Sequence, residues 1–271
     1  MIPNFTLFGK TISVYMITAL VGILLILYFT YRQARRKGLD EIHMLYMMLF
    51  AGLGAVIGGH MLYGVTNFPH IIHLVQNLSQ ISSWSDLLNR LILIFGGSVF
   101  YGGLIGGIFA AWLYARRSRL DIGRYADTAA PAIPLFHAIG RLGCFLSGCC
   151  YGVEWSHGFI YRFSAAPGAN FVPRFPVQLV EGCLNLLLFF LLLYLLERGK
   201  LPGRLLQLYL LIYPVYRFVL EFFRGDDYRG FLFGLSTSQI LSVVLFGISA
   251  VTWYMDAKRH PTKKHLSLIH I

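Results

Sequence analysis

The sequence predicts an all-α polytopic membrane protein with seven transmembrane helices. Of its 271 residues, 56% are hydrophobic and only 13% are charged, and the mean hydropathy is +0.63. Seven apolar stretches each reach about 20 residues, the length needed to cross a bilayer core. Soluble domains of this length carry about twice as much charge, so the composition excludes the soluble classes of protein.

Short polar loops separate the seven predicted spans. The spans are Thr11 to Tyr31, His43 to Thr66, Leu91 to Tyr114, Asp127 to Leu146, Val177 to Leu196, Leu205 to Phe223 and Ser238 to Met255. The segment 1–8 lacks the basic region of a signal peptide, and no small-residue cleavage site follows, so the first span is expected to remain as a helix. We expect residues 1–258 to form a single transmembrane domain.

Lysine and arginine are concentrated in alternate loops. Fifteen of them lie in the segments 32–37, 116–124, 198–204 and 258–264, whereas six lie in loops on the opposite side. Basic residues of short loops stay in the cytoplasm, so this bias predicts an outer N-terminus and a cytoplasmic C-terminus. The net charge of +11 is therefore explained by membrane orientation, and no nucleic-acid partner is expected.

Two loops on the predicted outer side have structure of their own. The segment 67–90 places apolar residues on one helical face, which predicts an interfacial helix. The segment 153–174 has the Gly, Pro and aromatic content of a folded loop and could cap a site below it. At the other end, residues 259–271 are expected to be a cytoplasmic tail. Leu266 to Ile271 resemble a translated sequencing adapter, so they are treated as non-native and given no function.

The segment from His137 to Gly152 is the most unusual part of the chain. It contains four glycines, Gly140, Gly143, Gly148 and Gly152, which would let a backbone or a ligand approach closely. It also contains Arg141, a permanent cation that needs an anionic partner beside apolar sequence. A purely structural pairing of Arg141 with a nearby carboxylate is the alternative interpretation.

Three of the four cysteines, Cys144, Cys149 and Cys150, lie in the same segment. Their closeness is suggestive of metal binding, but no second Cys or His pair of the zinc-finger type accompanies them. The sequence therefore predicts neither a metal nor another cofactor.

A second charged group lies in the sixth span. Arg217 and Glu221 are four residues apart, so they share one helix face and can form an ion pair. Arg224 and Asp226 continue this polar track toward the outer surface. A structural ion pair without a ligand is the alternative, although charges within a membrane usually mark function.

Arg141 and Arg217 are thus expected to converge in the outer half of the membrane, beside Gln178 and Glu181 at the start of the fifth span. Two guanidinium groups suit a phosphate through bidentate hydrogen bonds. The residues therefore predict a site for the headgroup of an anionic lipid that enters from the outer leaflet.

Other candidates have structural alternatives. His60 and His137 are single histidines in helices, where packing through a hydrogen bond is more common than catalysis. Tyr101 begins a glycine-rich helix face with Gly102 and Gly103, and these glycines could simply allow two helices to pack closely.

Six motifs in order resemble the prolipoprotein diacylglyceryl transferase family of bacterial membrane enzymes. They are Tyr15 before Leu20-Val-Gly, Tyr101-Gly-Gly-Leu-Ile-Gly, Ala130-Pro-Ala-Ile-Pro leading into Gly140-Arg-Leu-Gly, Pro173-Arg-Phe-Pro-Val-Gln-Leu-Val-Glu181, Tyr216-Arg-Phe-Val-Leu-Glu-Phe-Phe-Arg224 and Ser238-Gln-Ile-Leu-Ser. Each motif alone is weak, but together they cover nearly the whole chain.

The resemblance implies a multi-pass enzyme of the bacterial plasma membrane whose site faces the outer leaflet. It would move diacylglycerol from phosphatidylglycerol to the lipobox cysteine of a prolipoprotein signal peptide, forming a thioether and releasing glycerol phosphate without a cofactor. Arg141 and Arg217 would hold the phosphate, Glu221 would position Arg217, and Tyr15 would contact the headgroup. The full set of catalytic candidates is Arg141, Arg217, Glu221, Tyr101 and His137; candidate substrate contacts are Tyr15, His60, Gly102, Gly103, Gly140, Gly143, Cys144, Gly148, Cys149, Gly152, Gln178, Glu181 and Arg224.

The chain departs from the family pattern at the expected catalytic segment. Tyr101 replaces the family histidine, and Gly143-Cys-Phe-Leu-Ser-Gly-Cys149 replaces Gly-Asn-Phe-Ile-Asn-Gly-Glu. Tyrosine is a weak base at neutral pH, so Tyr101, His137 or His60 would have to assist removal of the acceptor thiol proton. The alternatives are a paralogue that uses another lipid or thiol, and a non-catalytic protein that binds or transports an anionic lipid. A transporter would tend to show internal repeats, and none is evident.

Overall fold

The computed structural model describes residues 4–7, 10–78, 81, 83–164, 166–226, 231–232 and 234–259. The sequence predicted a cytoplasmic tail at 259–271 and a non-native origin for 266–271; Arg259 is described as part of a helix, and 260–271 lie outside the described residues. Within the described part, helices form most of the chain, and the strands are short and peripheral.

The chain begins with an antiparallel hairpin and continues as helices. The strands β1 (Asn4–Leu7) and β2 (Lys10–Ser13) pair with Asn4 opposite Ser13. The helices are α1 (Val14–Arg36), α2 (Glu41–Thr66), α3 (Phe68–Gln76), α4 (Trp84–Phe95), α5 (Phe100–Arg117), α6 (Ile122–Ala129), α7 (Ala132–Ser147), α8 (Val177–Glu197), α9 (Leu205–Leu220) and α10 (Thr237–Arg259). Strand β3 (Glu154–Phe159) follows α7, and the antiparallel pair β4 (Phe231–Leu232) and β5 (Leu235–Ser236) precedes α10.

Side-chain caps fix where several helices start. Asp40 accepts a hydrogen bond from the His43 N–H at the start of α2, and Ser83 accepts one from the Asp86 N–H at the start of α4. Each cap satisfies a backbone donor that the first turn of a helix leaves without a partner.

Six helical segments of the described chain are long and apolar enough to cross a membrane, and they include the joined pair α6 and α7. The prediction of an all-α polytopic membrane protein is confirmed. The pair α4 and α5 raises the number to seven if it is counted as one broken span. The orientation of the helices relative to the membrane stays a prediction.

The third span differs from the sequence prediction. A continuous helix from Leu91 to Tyr114 was expected, but α4 ends at Phe95 and α5 starts at Phe100, and their axes are bent by 93°. The chain passes close to α2 at this break: the Val99 N–H donates to the Gly59 carbonyl over 3.1 Å. A Cβ atom on Gly97 would lie 2.4 Å from the Tyr63 ring, so any other residue there would force the ring to shift.

The first span also starts later than expected. The predicted boundary was Thr11, whereas α1 starts at Val14 because Thr11 to Ser13 pair in β2. The hairpin therefore shortens the helix at its N-terminus. At the other end α1 continues to Arg36, five residues beyond the predicted boundary at Tyr31.

Helices α2 and α5 pack with their backbones in contact. A Cβ atom on Gly58 would lie 2.3 Å from the Gly102 carbonyl oxygen, and one on Gly102 would lie 2.3 Å from the Gly58 carbonyl oxygen. Small residues allow such contact between helices in lipid, where apolar surface alone gives no preference for a protein partner. These glycines fix the position of Tyr101 at the start of α5.

A buried aspartate connects α6 to α9. Asp127 accepts hydrogen bonds from the Gly203 N–H and, over 2.9 Å, from the Leu205 N–H. These are donors at the start of α9 that its own turns cannot satisfy. The bond holds the N-terminal end of α9, the helix that carries Arg217.

Candidate functional site

Glu181 lies at the centre of a buried charge cluster. It projects from α8 on the same face as Gln178 and Asn185, and its exposed fraction is 1%. A carboxylate this deeply buried must be met by cations or donors, because its desolvation costs several kcal/mol. Helices α7 and α9 supply them.

Three nitrogen-bearing side chains approach the two carboxylate oxygens of Glu181. Arg141 Nη2 lies 2.9 Å and His137 Nε2 lies 3.3 Å from Oε1. Arg217 Nη1 lies 3.7 Å from Oε2. His137 and Arg141 are four residues apart on α7, so one helix face delivers both.

The charge track continues from Arg217 toward the end of α9. Arg217 Nη2 lies 2.6 Å from Oε2 of Glu221, and Arg224 Nη1 lies 3.8 Å from the same oxygen. Arg224 also donates from Nε to Asp226 Oδ1 over 2.9 Å. Arginines and carboxylates therefore alternate along one path.

Two guanidinium donors in this cluster have capacity for a further acceptor. Arg141 Nε and Arg217 Nη1 are buried and make no hydrogen bond within the described part of the chain. A buried donor without an acceptor costs about 1–3 kcal/mol, and more when it is charged. Both atoms belong to residues that flank Glu181, so an anion between the helices could accept from both.

Aromatic side chains line the same region. Phe100 stacks on the His137 ring with centroids 4.3 Å apart, and the Tyr213 ring lies 5.1 Å from His137. Tyr216 donates to Asn185 Oδ1 over 2.9 Å, and Asn185 Nδ2 donates to the Glu181 carbonyl over 2.8 Å. The cluster is thus enclosed by apolar ring surface and anchored by a polar network on α8.

Tyr101, the residue in place of the family histidine, is buried with 2% of its surface exposed. Its hydroxyl makes a hydrogen bond with Ser242 of α10. Ser242 donates its own hydroxyl proton to the Ser238 carbonyl over 2.7 Å, so Tyr101 is the donor in its bond with Ser242. Ser238 in turn accepts from Arg217 Nη2 over 3.4 Å, which connects α10 to the charge cluster.

Gly102, Gly103 and His60, which were predicted to contact substrate, make contacts with neighbouring helices. Gly102 lies against Gly58 and Leu62. A Cβ atom on Gly103 would lie 3.2 Å from the Ala55 carbonyl oxygen. Both glycines therefore serve the packing of α5 on α2. His60 Nδ1 makes a 2.7 Å hydrogen bond with the Phe95 carbonyl at the end of α4.

The glycines around Arg141 have different roles. A Cβ atom on Gly143 would lie 2.1 Å from Thr18 Oγ1, and the Tyr15 ring lies beside it, so Gly143 allows α1 to pack on α7. Gly140 has open space where its Cβ would be. Gly152 packs against the backbone of Phe175, which fixes the return of the chain toward α8.

Helix α7 ends in a motif that gathers three cysteines. Gly148 has a φ of 75°, its N–H donates to the Phe145 carbonyl, and the Cys149 N–H donates to the Cys144 carbonyl. This is the Schellman arrangement, in which the residue after the glycine contacts the residue five positions before it. Here those residues are Cys149 and Cys144.

Cys150 follows with a φ of 54° and completes the group. The sulfur atoms of Cys144, Cys149 and Cys150 all lie within 4.8 Å of one another. Hydrogen bonds with Cys144 and Cys149 hold the pKa of the Cys150 thiol well below its usual range, and the charges of Arg224 and Arg141 act in the same direction. The closeness of these cysteines in the sequence was suggestive of metal binding, although no metal was predicted, and the three sulfurs together could hold a soft metal ion.

Gln178 joins the cysteine group to the charge cluster. Its Nε2 donates to the Cys149 carbonyl over 2.8 Å and to the Tyr161 hydroxyl over 3.2 Å. Burial raises the pKa of Tyr161 to about 12, so this phenol stays protonated at neutral pH. One turn of α8 separates Gln178 from Glu181, so the two groups form one continuous region.

Several residues of this region were not found from the sequence. Asn185, Ser242 and Tyr213 are buried within apolar spans, and the local sequence does not show their contacts with Tyr216, Tyr101 and His137. Ser238 and Ser242 are four residues apart, a spacing that puts both on one face of α10 and could have indicated a polar contact.

The fold and the site define a class: a polytopic helical membrane protein with arginines and carboxylates buried between its spans. The model of the family described as prolipoprotein diacylglyceryl transferase matches residues 3–255. The chain belongs to this family, which confirms the resemblance drawn from its motifs.

Curated relatives agree over most of their length. The phosphatidylglycerol–prolipoprotein diacylglyceryl transferase of Clostridium tetani is 32% identical over 256 residues, which cover 94% of this chain and 97% of the relative. The protein of the same name from Vibrio cholerae is 33% identical over 245 residues, covering 86% of this chain and 84% of the relative. A second such enzyme of Clostridium perfringens is 29% identical, with coverage of 88% and 89%.

Proposed function

We propose that this chain transfers the diacylglyceryl group of phosphatidylglycerol, or of a related anionic phospholipid, to the lipobox cysteine of a prolipoprotein signal peptide. The products are a thioether and glycerol phosphate. Family membership supports the reaction and its place in lipoprotein biogenesis. The assignment of residues rests on the buried charge cluster.

The observation that carries the assignment is the pair of unsatisfied donors on either side of Glu181. Arg141 Nε and Arg217 Nη1 are buried, charged and without a hydrogen-bond acceptor in the described residues. A phosphodiester offers two oxygens that can accept from two guanidinium groups at once. Its binding would recover the energy that the two donors lose when they leave water.

In this proposal catalysis comes from placement and charge stabilisation. Negative charge grows on the phosphate oxygens as the carbon–oxygen bond to the glyceryl group breaks, and Arg141 and Arg217 face that charge from two helices. Glu181 and Glu221 hold the guanidinium groups in position before the lipid arrives. Because these side chains are buried, each of these interactions is stronger than it would be at a surface.

Tyr101 takes a positioning role rather than that of a base. Its hydroxyl donates a hydrogen bond to Ser242, and its ring packs against Phe100 and Tyr213. Ser242 donates to the Ser238 carbonyl, and the Ser238 hydroxyl accepts from Arg217, so Tyr101 is connected to Arg217 through α10. Replacement of the family histidine by Tyr101 is therefore compatible with transfer in this proposal.

We further propose that the protein is a multi-pass protein of the bacterial plasma membrane whose site faces the outer leaflet. The distribution of basic residues between alternate loops supports this orientation. The loop 153–174 would then cover the site from outside, and Tyr15, half-exposed beside Gly143, would contact the headgroup.

The departures at Tyr101, Cys144 and Cys149 favour one second candidate. It is a family member that uses the same arginine site but transfers to a different thiol or from a different lipid. Turnover with an alternative acceptor, and none with a lipobox peptide, would distinguish it.

Complementation tests the proposal. The resident diacylglyceryl transferase of a bacterium is depleted, this chain is expressed, and a lipobox cysteine is examined by mass spectrometry. We expect a diacylglyceryl adduct that disappears with Arg141→Ala or Arg217→Ala and persists with Arg116→Ala, a control at the exposed end of α5. Stable membrane expression of the wild-type chain without an adduct would refute the proposal.

A further inference from the structure

The three cysteines at the end of α7 form a compact group of soft ligands. Their sulfur atoms lie within 4.8 Å of one another, and Cys144 is buried whereas Cys149 and Cys150 are partly exposed. The Schellman end of α7 and the left-handed backbone at Cys150 create this arrangement. It therefore depends on the helix end and not on a chance meeting of flexible side chains.

The distances suit a single metal ion. Thiolates bind Zn²⁺ at about 2.3 Å, so sulfurs that share one tetrahedral ion are roughly 3.8 Å apart. The three cysteines therefore need only a small rotation of their side chains to enclose such an ion. Thiolate ligands select Zn²⁺ or Cu⁺ over the hard cations that prefer oxygen.

The surroundings compensate the charge of such a centre. Three thiolates and one Zn²⁺ carry a net charge of about −1. Arg224 and Arg141 act electrostatically on Cys150, and their positive charges oppose this excess. Gln178 fixes the backbone of Cys149 through its hydrogen bond to the carbonyl, which holds that ligand in place.

We propose that Cys144, Cys149 and Cys150 bind one Zn²⁺ ion and leave its fourth coordination position open for the acceptor thiol of the transfer reaction. This inference rests on the proposed function. Catalytic zinc sites keep three protein ligands and one exchangeable position, whereas structural sites are closed by four. The described cysteine group offers three ligands, the number that catalytic zinc sites have.

The open position would allow the acceptor thiol to lose its proton without a side chain acting as the base. A thiol that coordinates Zn²⁺ is deprotonated, and its proton passes to water. The resulting thiolate sulfur forms the bond to the glyceryl carbon. The carbon–oxygen bond to phosphate breaks, and its electron pair leaves with glycerol phosphate, which Arg141 and Arg217 hold. The thioether product carries no charge and binds Zn²⁺ more weakly than a thiolate, so it can leave.

Metal binding is tested on the full chain, purified in detergent with a reductant and exposed to Zn²⁺ or Co²⁺. We expect about one ion per chain and a cobalt spectrum typical of tetrahedral thiolate coordination. The triple variant Cys144→Ser, Cys149→Ser, Cys150→Ser should retain less than about a tenth of this ion, because its hydroxyls are poor ligands for soft metals. Cys183→Ser, which changes the one remaining cysteine, should bind normally.

Wild-type protein alone gives a measurement that does not depend on the folding of a variant. With Zn²⁺ bound, maleimide should leave Cys144, Cys149 and Cys150 unmodified. A chelator should then make Cys149 and Cys150 reactive. Equal modification with and without Zn²⁺, or a stable disulfide within the cysteine group after reduction, would overturn the proposal.

The open coordination position is tested by adding a lipobox peptide to the cobalt form. Its thiol should shift the spectrum, and the same peptide with serine in place of cysteine should not. An unchanged spectrum would refute the role in binding the acceptor. Transfer activity is measured separately: metal-free protein that still forms the adduct would overturn this inference and leave the proposed function intact, whereas metal binding without any adduct would refute the proposed function.

Discussion

Arg141 Nη2 lies 2.9 Å from Glu181 Oε1, although 40 positions separate the two residues in the chain. Gly182 packs against Arg141 beside this pair, and a Cβ atom there would make ordinary van der Waals contact, 3.6 Å from the Arg141 Cβ. The pair thus joins α7 to α8. Glu181 holds the guanidinium of Arg141 beside that of Arg217, so a single carboxylate sets the geometry of both.

The first prediction concerns the shape of the Arg141 guanidinium. Arg141→Lys keeps the positive charge but loses the planar fork that can hold Glu181 and a phosphate together. We expect the rate of transfer to fall by at least about 10-fold for Arg141→Lys and about 100-fold or more for Arg141→Ala. The measurement is the rate of adduct formation on a lipobox peptide in phosphatidylglycerol vesicles.

Lys200→Ala is the control for Arg141→Lys, because it also changes a cation but lies in the connection between α8 and α9. Its rate should match the wild type. If Arg141→Lys is as active as wild type, bidentate recognition by this residue is wrong.

The second prediction separates a positioning role of Tyr101 from that of a base. Tyr101→Phe removes the bond to Ser242 but keeps the ring, and Ser242 retains its bond to the Ser238 carbonyl. We expect transfer within about 3-fold of wild type and a loss of about 1 kcal/mol in the free energy of unfolding. A loss of transfer by more than about 100-fold, with the protein still folded, would identify the hydroxyl as essential to the chemistry.

The third prediction tests the buried connection between α6 and α9. Asp127→Ala leaves the Gly203 and Leu205 N–H groups without their acceptor. We expect the free energy of unfolding to fall by about 1–2 kcal/mol, and by less for Asp127→Asn, which keeps one acceptor oxygen. The midpoint of thermal unfolding in detergent measures this change. Unchanged midpoints for both variants would contradict a capping role.

The fourth prediction concerns the glycine contact between α2 and α5. Gly58→Ala places a methyl group against the Gly102 carbonyl, so the helices must separate, at a cost of about 1–3 kcal/mol. Gly52→Ala on the same helix meets open space and should leave stability unchanged or raise it by up to about 1 kcal/mol. Comparable unfolding midpoints for the two variants would show that the close contact is not required.

Much of the site could be inferred from the sequence because charges in apolar spans are conspicuous. Arg217 and Glu221 share one helix face by their spacing alone, and the structure joins them at 2.6 Å. The central place of Glu181 could not be inferred in this way. Its partners lie on two other helices, and no local pattern relates those helices to α8.

The break before α5 was missed for a related reason. The segment 91–114 is apolar throughout, and apolar length is the criterion for a span. The turn at 96–99 forms because Gly97 fits against Tyr63 and Val99 bonds to Gly59, which are contacts with α2. Hydropathy does not report contacts between helices.

The sequence by itself determined that the chain is a helical membrane protein and which residues are its unusual ones. Apolar length and isolated charges are local properties that can be recognised in the sequence without knowledge of the fold. The tertiary structure alone decided that Arg141 and Arg217 share Glu181, and that three cysteine sulfurs meet at the end of α7. These outcomes depend on distances between helices and on one helix end, which only the packing of the whole molecule fixes.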